Sequence, residues 1–316
     1  MRIRRILYPT DFSPCAKAAL GHALFLAQQY DAELHILNAV TLNADDQANP
    51  ELHFPNGAEL LERLIETAAE QMAELISKEH RATLRVTEAQ VRGISPAPLI
   101  LEYADQHDID LIVMGTHGRR PPARFFLGSV ATEIVRHSDC PVMTLRRTEP
   151  PREVEAIERL LVPLDFSEHS MTALRYAKDL AHRYEASLQL LHVVEIQTYP
   201  TLYGPVATVF DINDFKGVSL EAMDRAMERL GGEPVEYDKY VLGGRAATEI
   251  AAFAKEHGSD IVVISTHGLS GLERLLTGST SEQVVRLVEC PVFTVKGFGK
   301  SLLENAPEAE PASGSG

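Results

Sequence analysis

The sequence contains two copies of one plan. Residues 6–13 read ILYPTDFS and residues 160–167 read LLVPLDFS. Residues 115–118 (GTHG) return as residues 265–268 (STHG). Because the matching segments keep the same order along 316 residues, the chain is a duplication, and each half is expected to fold as one unit with its own core.

Strand and helix patterns alternate within each half. In the first half the patterns predict strands at 5–8, 33–40, 84–91, 110–114 and 142–146, and helices at 14–30, 58–81, 96–107 and 129–137. Strands in the second half are predicted at 159–163, 187–194, 235–242, 260–264 and 292–296. Strands that alternate with helices form a parallel sheet through right-handed crossovers. The predicted fold class is therefore α/β, with a doubly wound sheet in each half.

Composition shifts suggest the boundaries between these parts. The predicted first domain spans 1–147, a charged linker that contains prolines spans 148–156, and the predicted second domain spans 157–297. The tail, 298–316, is small, polar and acidic, so we expect disorder there. Residues 195–217 contain four aromatic residues among Pro and Gly, which fits either an ordered flap or a surface loop that buries them against its own domain.

Charge and cysteine content exclude several classes of function. The formal net charge is -15, and an acidic chain without a basic stripe is not expected to bind nucleic acid. The three cysteines are too scattered for a disulfide framework or a zinc site. No apolar run reaches the roughly 18 residues that a membrane-spanning helix needs, and the N-terminal segment is interrupted by prolines. The sequence therefore predicts a cytoplasmic location and no membrane partner.

Glycines follow the fourth predicted strand at a spacing that suits phosphate binding. Gly115 and Gly118 come directly after that strand, and Gly128 with Ser129 opens the next helix. Glycine lets backbone N–H groups approach phosphate oxygens, and a helix N-terminus adds unpaired N–H groups and the positive end of its dipole. Spaced glycines also end strands and cap helices for purely structural reasons, so both interpretations stay open at this point.

The complete pattern, G-x2-G-x9-G-[ST], resembles the signature of ATP-binding universal stress proteins, and the resemblance covers nearly residues 1–297. It implies two tandem Rossmann-like domains, each a five-stranded parallel sheet with helices on both faces. It also implies that Asp11 and Asp165 contact the adenosine moiety, and that Val40 and Val194 meet the adenine edge. The residues that the resemblance assigns to ligand binding are Pro9, Asp11, Val40, Gly115, Thr116, His117, Gly118, Gly128, Ser129, Val130, Pro163, Asp165, Val194, Ser265, His267, Gly268, Gly278, Ser279 and Thr280.

Each half has one peculiarity at this site. Ser265 stands where the second half should have the first glycine. If the backbone must be left-handed there, the side chain costs about 1 kcal/mol or more and weakens the second site. In the first half, residues 119–124 hold three arginines that could neutralise phosphates and two prolines that remove N–H donors. His117 and His267 either donate hydrogen bonds to the phosphates or only stabilise the loops in which they lie. Cys15 is expected to be a buried packing residue.

These features lead to a functional hypothesis and two alternatives. The hypothesis is an adenine-nucleotide-binding protein with a regulatory or stress-response role, which holds ATP with or without Mg²⁺. No side chain of the signature is an evident general base for attack by water, so turnover is not expected. The alternatives are a slow ATP hydrolase and a nucleotide-free dimeric scaffold. The two halves are expected to pair as an intrachain pseudo-dimer through strands 142–146 and 292–296; a homodimer of the whole chain is left open.

Overall fold

The computed structural model describes residues 1–41, 57–117, 127–146, 157–195, 200–201, 204–205, 212–266, 279–296 and 300–303. The chain divides into two compact units. The first unit is Ile3–Val154, and the second is Glu155–Gly316 together with Met1–Arg2. Within the described residues, no helix combines the length and the apolar character that crossing a membrane requires.

The first unit is a five-stranded parallel sheet with helices between its strands. Its strands are β1 (Arg5–Pro9), β2 (Glu33–Thr41), β3 (Val86–Gly93), β4 (Leu111–Gly115) and β5 (Val142–Leu145), and its helices are α1 (Pro14–Tyr30), α2 (Gly57–Leu75), α3 (Lys78–Thr83), α4 (Pro96–Gln106) and α5 (Ser129–His137). The strand order is β3-β2-β1-β4-β5. The chain therefore moves outward from β1 in one direction and from β4 in the other. Right-handed crossovers then place α1 and α2 on one face and α4 and α5 on the other.

The second unit repeats this topology. Its strands are β6 (Arg159–Pro163), β7 (Ser187–Val194), β8 (Pro200–Thr201), β9 (Gly204–Pro205), β10 (Tyr237–Gly243), β11 (Ile261–Ser265) and β12 (Val292–Val295), and its helices are α6 (Glu168–Tyr184), α7 (Ile212–Leu230), α8 (Ala246–Glu256) and α9 (Ser279–Leu287). The five long strands lie in the order β10-β7-β6-β11-β12, while β8 and β9 pair with each other in antiparallel orientation. The predicted fold class is thus confirmed in both halves.

The cores explain why the strands read as continuous apolar runs. All five residues of β4 are buried, and so are all five residues of β11. Ile6 and Leu7 of β1 and Ile112 of β4 have no exposed surface. A strand that is covered by helices on both faces has no polar side, so strict alternation of polar and apolar residues is absent.

The single helix predicted at 58–81 is wrong, because the chain breaks there into α2 and α3. Ser77 adopts an extended conformation, and its side chain accepts a hydrogen bond from the backbone N–H of His80. A serine in this role satisfies one of the unpaired donors at the start of a new helix. The apolar periodicity continues past Leu75, which is why the sequence pattern alone suggested one long helix.

The tail that was expected to be disordered from residue 298 is partly ordered. Leu302 is only 4% exposed. Its backbone N–H donates to the hydroxyl of Tyr176 at 2.9 Å, and its carbonyl accepts from Arg2 N at 2.9 Å. The expectation is therefore wrong for 300–303, where one apolar side chain finds a site on the second unit. Residues 304–316, and most of the 195–217 segment before α7, lie outside the described residues.

Candidate functional site

A strained turn follows the first strand of the first unit. Phe12 has φ 64, a left-handed backbone conformation that residues other than glycine seldom adopt. The Asp11 carboxylate accepts a hydrogen bond from Ser13 N at 3.0 Å. Ser13 in turn caps α1 by accepting from Ala16 N at 3.2 Å. The turn presents a half-buried carboxylate at the carboxyl edge of the sheet, and strain of this kind is concentrated at functional sites.

The second unit builds the same turn. Phe166 has φ 61. One oxygen of Asp165 accepts from Ser167 N at 3.0 Å and from the Ser167 hydroxyl at 2.6 Å. The two turns share a left-handed phenylalanine, an aspartate that binds its own backbone, and a serine cap. Because both units form the same turn, the position of the carboxylate is a feature of the repeated fold and not of one unit alone.

Gly115 ends β4 beside the start of α1. A Cβ on Gly115 would lie 2.9 Å from the Cys15 carbonyl carbon and 3.0 Å from Ala16 N. The residue belongs to the strand, and neither it nor Ser265 has positive φ. The reason given above for the weakness of Ser265, a left-handed backbone, is therefore wrong. Glycine is needed in the first unit because helix α1 approaches the strand end too closely for a side chain.

Gly128 is the N-cap of α5 and packs against the same strand end. Its N–H donates to the Thr116 carbonyl at 2.8 Å, and a Cβ would lie 2.9 Å from that oxygen. Its backbone is extended, with φ -61 and ψ 149, and among the described residues no side chain caps the helix. Within the part of the chain that the structure describes, the first N–H groups of α5 therefore meet no capping side chain beside residues 115–117, and such a helix start suits an anion.

His117 lies between the strand end and this helix start. Its Nδ1 is 2.9 Å from the Thr116 hydroxyl, and its buried Nε2 has no hydrogen-bond partner among the described residues. Burial, together with the positive charge of Arg146, lowers the pKa of His117 below its usual value. The Ser13 hydroxyl reaches the His117 carbonyl at 3.5 Å. The ends of β1 and β4 thus meet at the position where the strand order reverses, which is where ligands bind in such sheets.

Arg146 is a residue of the candidate site that sequence reasoning missed. It follows β5 directly, is half-buried, and its charge acts on His117. The three arginines expected to neutralise phosphates, within 119–124, lie outside the described residues. A signal was present in the sequence, because Lys296 occupies the same place after β12. It was overlooked since a single cation after a strand is common at protein surfaces.

The remaining residues of the sequence-predicted site are distributed as follows. Pro9 and Val40 are buried at the ends of β1 and β2, whereas Pro163 and Val194 are half-buried at the ends of β6 and β7. Ser129 is exposed at the start of α5, Val130 and Thr280 are half-buried, and Ser279 begins α9. Gly118, His267, Gly268 and Gly278 lie outside the described residues.

The cysteines are packing residues. Cys15 is buried, and its thiol donates to the Leu145 carbonyl at 3.4 Å. Cys140 is buried as well. Burial raises the pKa of the Cys290 thiol to about 12, although part of the residue's surface is exposed. A thiol that stays protonated is a poor nucleophile. The expectation that Cys15 is a buried packing residue is confirmed.

Comparison with known proteins agrees with this architecture. The model of the universal stress protein family matches residues 2–146 and again 156–296. A universal stress protein of Bacillus subtilis, YxiE, is 32% identical over 145 residues, which cover 44% of this chain and 98% of that protein. One from Mycolicibacterium smegmatis is 24% identical and covers 92% of this chain and 96% of its own length. The crystal structure of a universal stress protein from Archaeoglobus fulgidus superimposes with a TM-score of 0.70 at 22% identity, covering 94% of this chain and 99% of that chain.

Proposed function

The chain belongs to the universal stress protein family, and on that premise we propose that its first unit binds ATP at the carboxyl edge of the sheet. Binding serves a regulatory or stress-response role, without rapid turnover. The observation that carries the proposal is the meeting of three features at the strand reversal. They are the start of α5 and the buried Nε2 of His117, neither of which has a side-chain hydrogen-bond partner among the described residues, and the nearby charge of Arg146.

These three features suit a chain of phosphates. Backbone N–H groups at the start of α5 donate to anionic oxygens, and the helix dipole adds to the attraction. Arg146 supplies a full positive charge, which strengthens hydrogen bonds to phosphate. Because its pKa is lowered, His117 is neutral at pH 7. When its Nδ1 accepts from the Thr116 hydroxyl, Nε2 carries the proton and is the atom that donates to a phosphate oxygen.

The adenosine moiety would lie on the other side of the reversal. The Asp11 carboxylate, fixed by Ser13 N, is an acceptor for ribose hydroxyls, and Val40 ends β2 as a buried apolar residue. Mg²⁺ takes oxygen ligands, chiefly phosphates and water in nucleotide sites. The described residues contain no group of three or more His, Cys, Asp or Glu side chains that could hold a metal ion, so we expect Mg²⁺ to accompany the phosphates rather than to occupy a site of its own.

We propose a second, weaker site in the second unit. Asp165 and Lys296 stand where Asp11 and Arg146 stand in the first unit. Ser265 is buried at the end of β11 and adds a side chain at the position that glycine occupies in β4. Two further possibilities remain as outcomes of experiment: a scaffold that binds no nucleotide, and a slow ATP hydrolase. The pairing of the two last strands stays a prediction from the sequence.

Mass spectrometry of the small molecules released from the purified, denatured protein tests the proposal directly. An adenine nucleotide in stoichiometric amount supports it. Absence of bound nucleotide, combined with no heat on titration with ATP, favours the scaffold. Release of inorganic phosphate from ATP at a rate proportional to protein concentration would instead establish the hydrolase.

Calorimetric titration of variants assigns the site. In a Gly268→Val background, intended to remove binding by the second unit, we expect Gly118→Val to abolish most ATP binding, because the glycines of the family pattern let backbone N–H groups approach phosphate oxygens. Asp11→Ala should weaken ATP binding about tenfold or more through the lost hydrogen bond. Circular dichroism controls for folding. Unchanged affinity in a folded Gly118→Val variant would mean that the glycine pattern is structural in this chain.

A further inference from the structure

A buried side chain of β2 holds the turn that carries Asp11. The Asn38 amide nitrogen donates to the Thr10 carbonyl at 2.8 Å, and Asn38 is only 6% exposed. The N–H of Thr10 donates to the Leu37 carbonyl at 2.8 Å. Both backbone polar groups of Thr10 are thus bound to β2: its N–H by the Leu37 carbonyl and its carbonyl by the Asn38 side chain. The peptide plane that precedes Asp11 is fixed as a result.

In the second unit a different residue makes the corresponding contact. His192 occupies the Asn38 position in β7, and its Nδ1 lies 2.7 Å from the Leu164 carbonyl. A carbonyl only accepts, so Nδ1 must carry the proton. The N–H of Leu164 donates to the Leu191 carbonyl at 2.8 Å. The imidazole also contacts the ring of Phe166, with 4.8 Å between centroids.

The two units therefore share a contact, although they do not share the residue that makes it. Asparagine and histidine have in common a short side chain that can donate one hydrogen bond from a similar position. In both units the accepting carbonyl belongs to the residue before the aspartate, and the left-handed phenylalanine follows it. A donor at this place opposes relaxation of the strained turn.

We infer that Asn38 and His192 are positioning residues for the nucleotide sites. Each fixes the peptide plane before the aspartate and so sets the direction in which the Asp11 or Asp165 carboxylate points. The inference rests on the proposed function for its effect on binding, but its structural content is independent of nucleotide. Asn38 acts through Asp11 and need not touch the ligand.

Hydrogen exchange of the nucleotide-free protein tests the structural part. The amides of Phe12 and Ser13 donate to the Thr10 hydroxyl and to Asp11, so they report whether the turn is held. Asn38→Leu removes the donor while keeping a side chain branched at Cγ, and it should accelerate exchange in peptides that span 10–16. Asn38→His, which installs the donor of the second unit, should restore slow exchange. Peptides that span 164–170 in the same molecule are the internal reference.

Calorimetric titration with ATP in the Gly268→Val background tests the functional part. Asn38→Leu should weaken binding about tenfold, and Asn38→His should stay within about twofold of the parent. The decisive arm is a double-mutant cycle: in an Asp11→Ala background, Asn38→Leu should cause no further loss, because the residue acts only through that carboxylate. His35→Gln, at the opposite end of β2, is the matched control and should change neither readout.

The outcomes separate the inference from the proposed function. If the parent binds no ATP but Asn38→Leu still loosens the 10–16 segment, the functional proposal fails while the structural role of Asn38 stands. Unchanged exchange in Asn38→Leu, or losses that add in the double mutant, would overturn the positioning role. Should Asn38→Leu not fold, Asn38→Ala removes the donor without adding a larger side chain, and His192→Leu removes the donor in the other unit.

Discussion

The Thr116 carbonyl oxygen lies 2.9 Å from the point at which a Cβ on Gly128 would stand. The Gly128 N–H donates a hydrogen bond to the same oxygen at 2.8 Å. The glycine is thus required by the protein's own packing, whatever ligand binds beside it. Part of the family signature is explained by this contact between a strand end and a helix start.

Gly128→Ala should therefore destabilise the first unit by about 1 to 3 kcal/mol, since a backbone oxygen cannot move aside without shifting β4. The matched control is Gly21→Ala in α1, where a Cβ would meet nothing within 4 Å. That change should stabilise the helix by about 0.5–1 kcal/mol. Urea unfolding followed by circular dichroism measures both, and an equal effect of the two substitutions would contradict the packing argument.

Gly115→Ser places in the first unit the residue that the second unit carries as Ser265. A Cβ there would lie 2.9 Å from the Cys15 carbonyl carbon, so we expect a loss of about 1 to 3 kcal/mol in unfolding free energy. The measurement is the same urea titration. If the variant is as stable as the parent, α1 can shift away from β4, and the difference between the two units at this position has no energetic meaning.

His35 makes the stability of the first unit depend on pH. It is 4% exposed, its Nδ1 is 3.0 Å from the Tyr103 hydroxyl, and its Nε2 is 3.5 Å from Glu33. Burial lowers the pKa of His35 below its usual 6.5, against an opposing effect of Glu33, while His107 and Arg5 lower it further. As the pH falls through 6.5, His35 is therefore protonated in the unfolded chain before it is protonated in the folded protein. The contribution of His35 to the free energy of unfolding is fully present above pH 6.5 and is lost as the pH falls below that value.

His35→Gln tests this dependence with the residue that the second unit has at that position, Gln189. The midpoint of urea unfolding should fall less steeply between pH 7 and 5 in the variant than in the parent. A residual slope is expected, because burial also lowers the pKa of His22, to about 4, and that of His117 is lowered as well. An identical slope in variant and parent would show that His35 does not contribute.

Arg146→Met should weaken ATP binding by the first unit about three- to tenfold at low salt, with a smaller effect at high salt, because a half-exposed charge is screened. It should also raise the pKa of His117, since the charge of Arg146 lowers it. Calorimetry at two ionic strengths and NMR titration of the imidazole measure the two effects. Lys78→Met is the control, because Lys78 lies in α3, which precedes the N-terminal end of β3 rather than the carboxyl edge of the sheet. An equal loss of affinity in this variant would indicate a general effect of net charge.

The sequence by itself determined the duplication, the alternation of strands and helices, and the edge of the sheet at which the candidate residues lie. Buried apolar runs and caps such as Ser13 are local signals, and α1 was predicted at its observed bounds, Pro14–Tyr30. The order of Asp11 and the glycines along the chain placed them at strand ends. Parallel strands then bring those ends to one edge.

Only the tertiary structure decided why particular residues stand there. Glycine is needed at 115 because the Cys15 backbone lies where a side chain would stand, and Asn38 fixes the turn through its hydrogen bond to the Thr10 carbonyl. The two residues of each pair are distant in sequence and meet only when the strands and helices pack. The break at Ser77 and the burial of Leu302 were likewise invisible to periodicity. Periodicity reports which face of an element is apolar, whereas the distance between two backbones depends on how the elements pack.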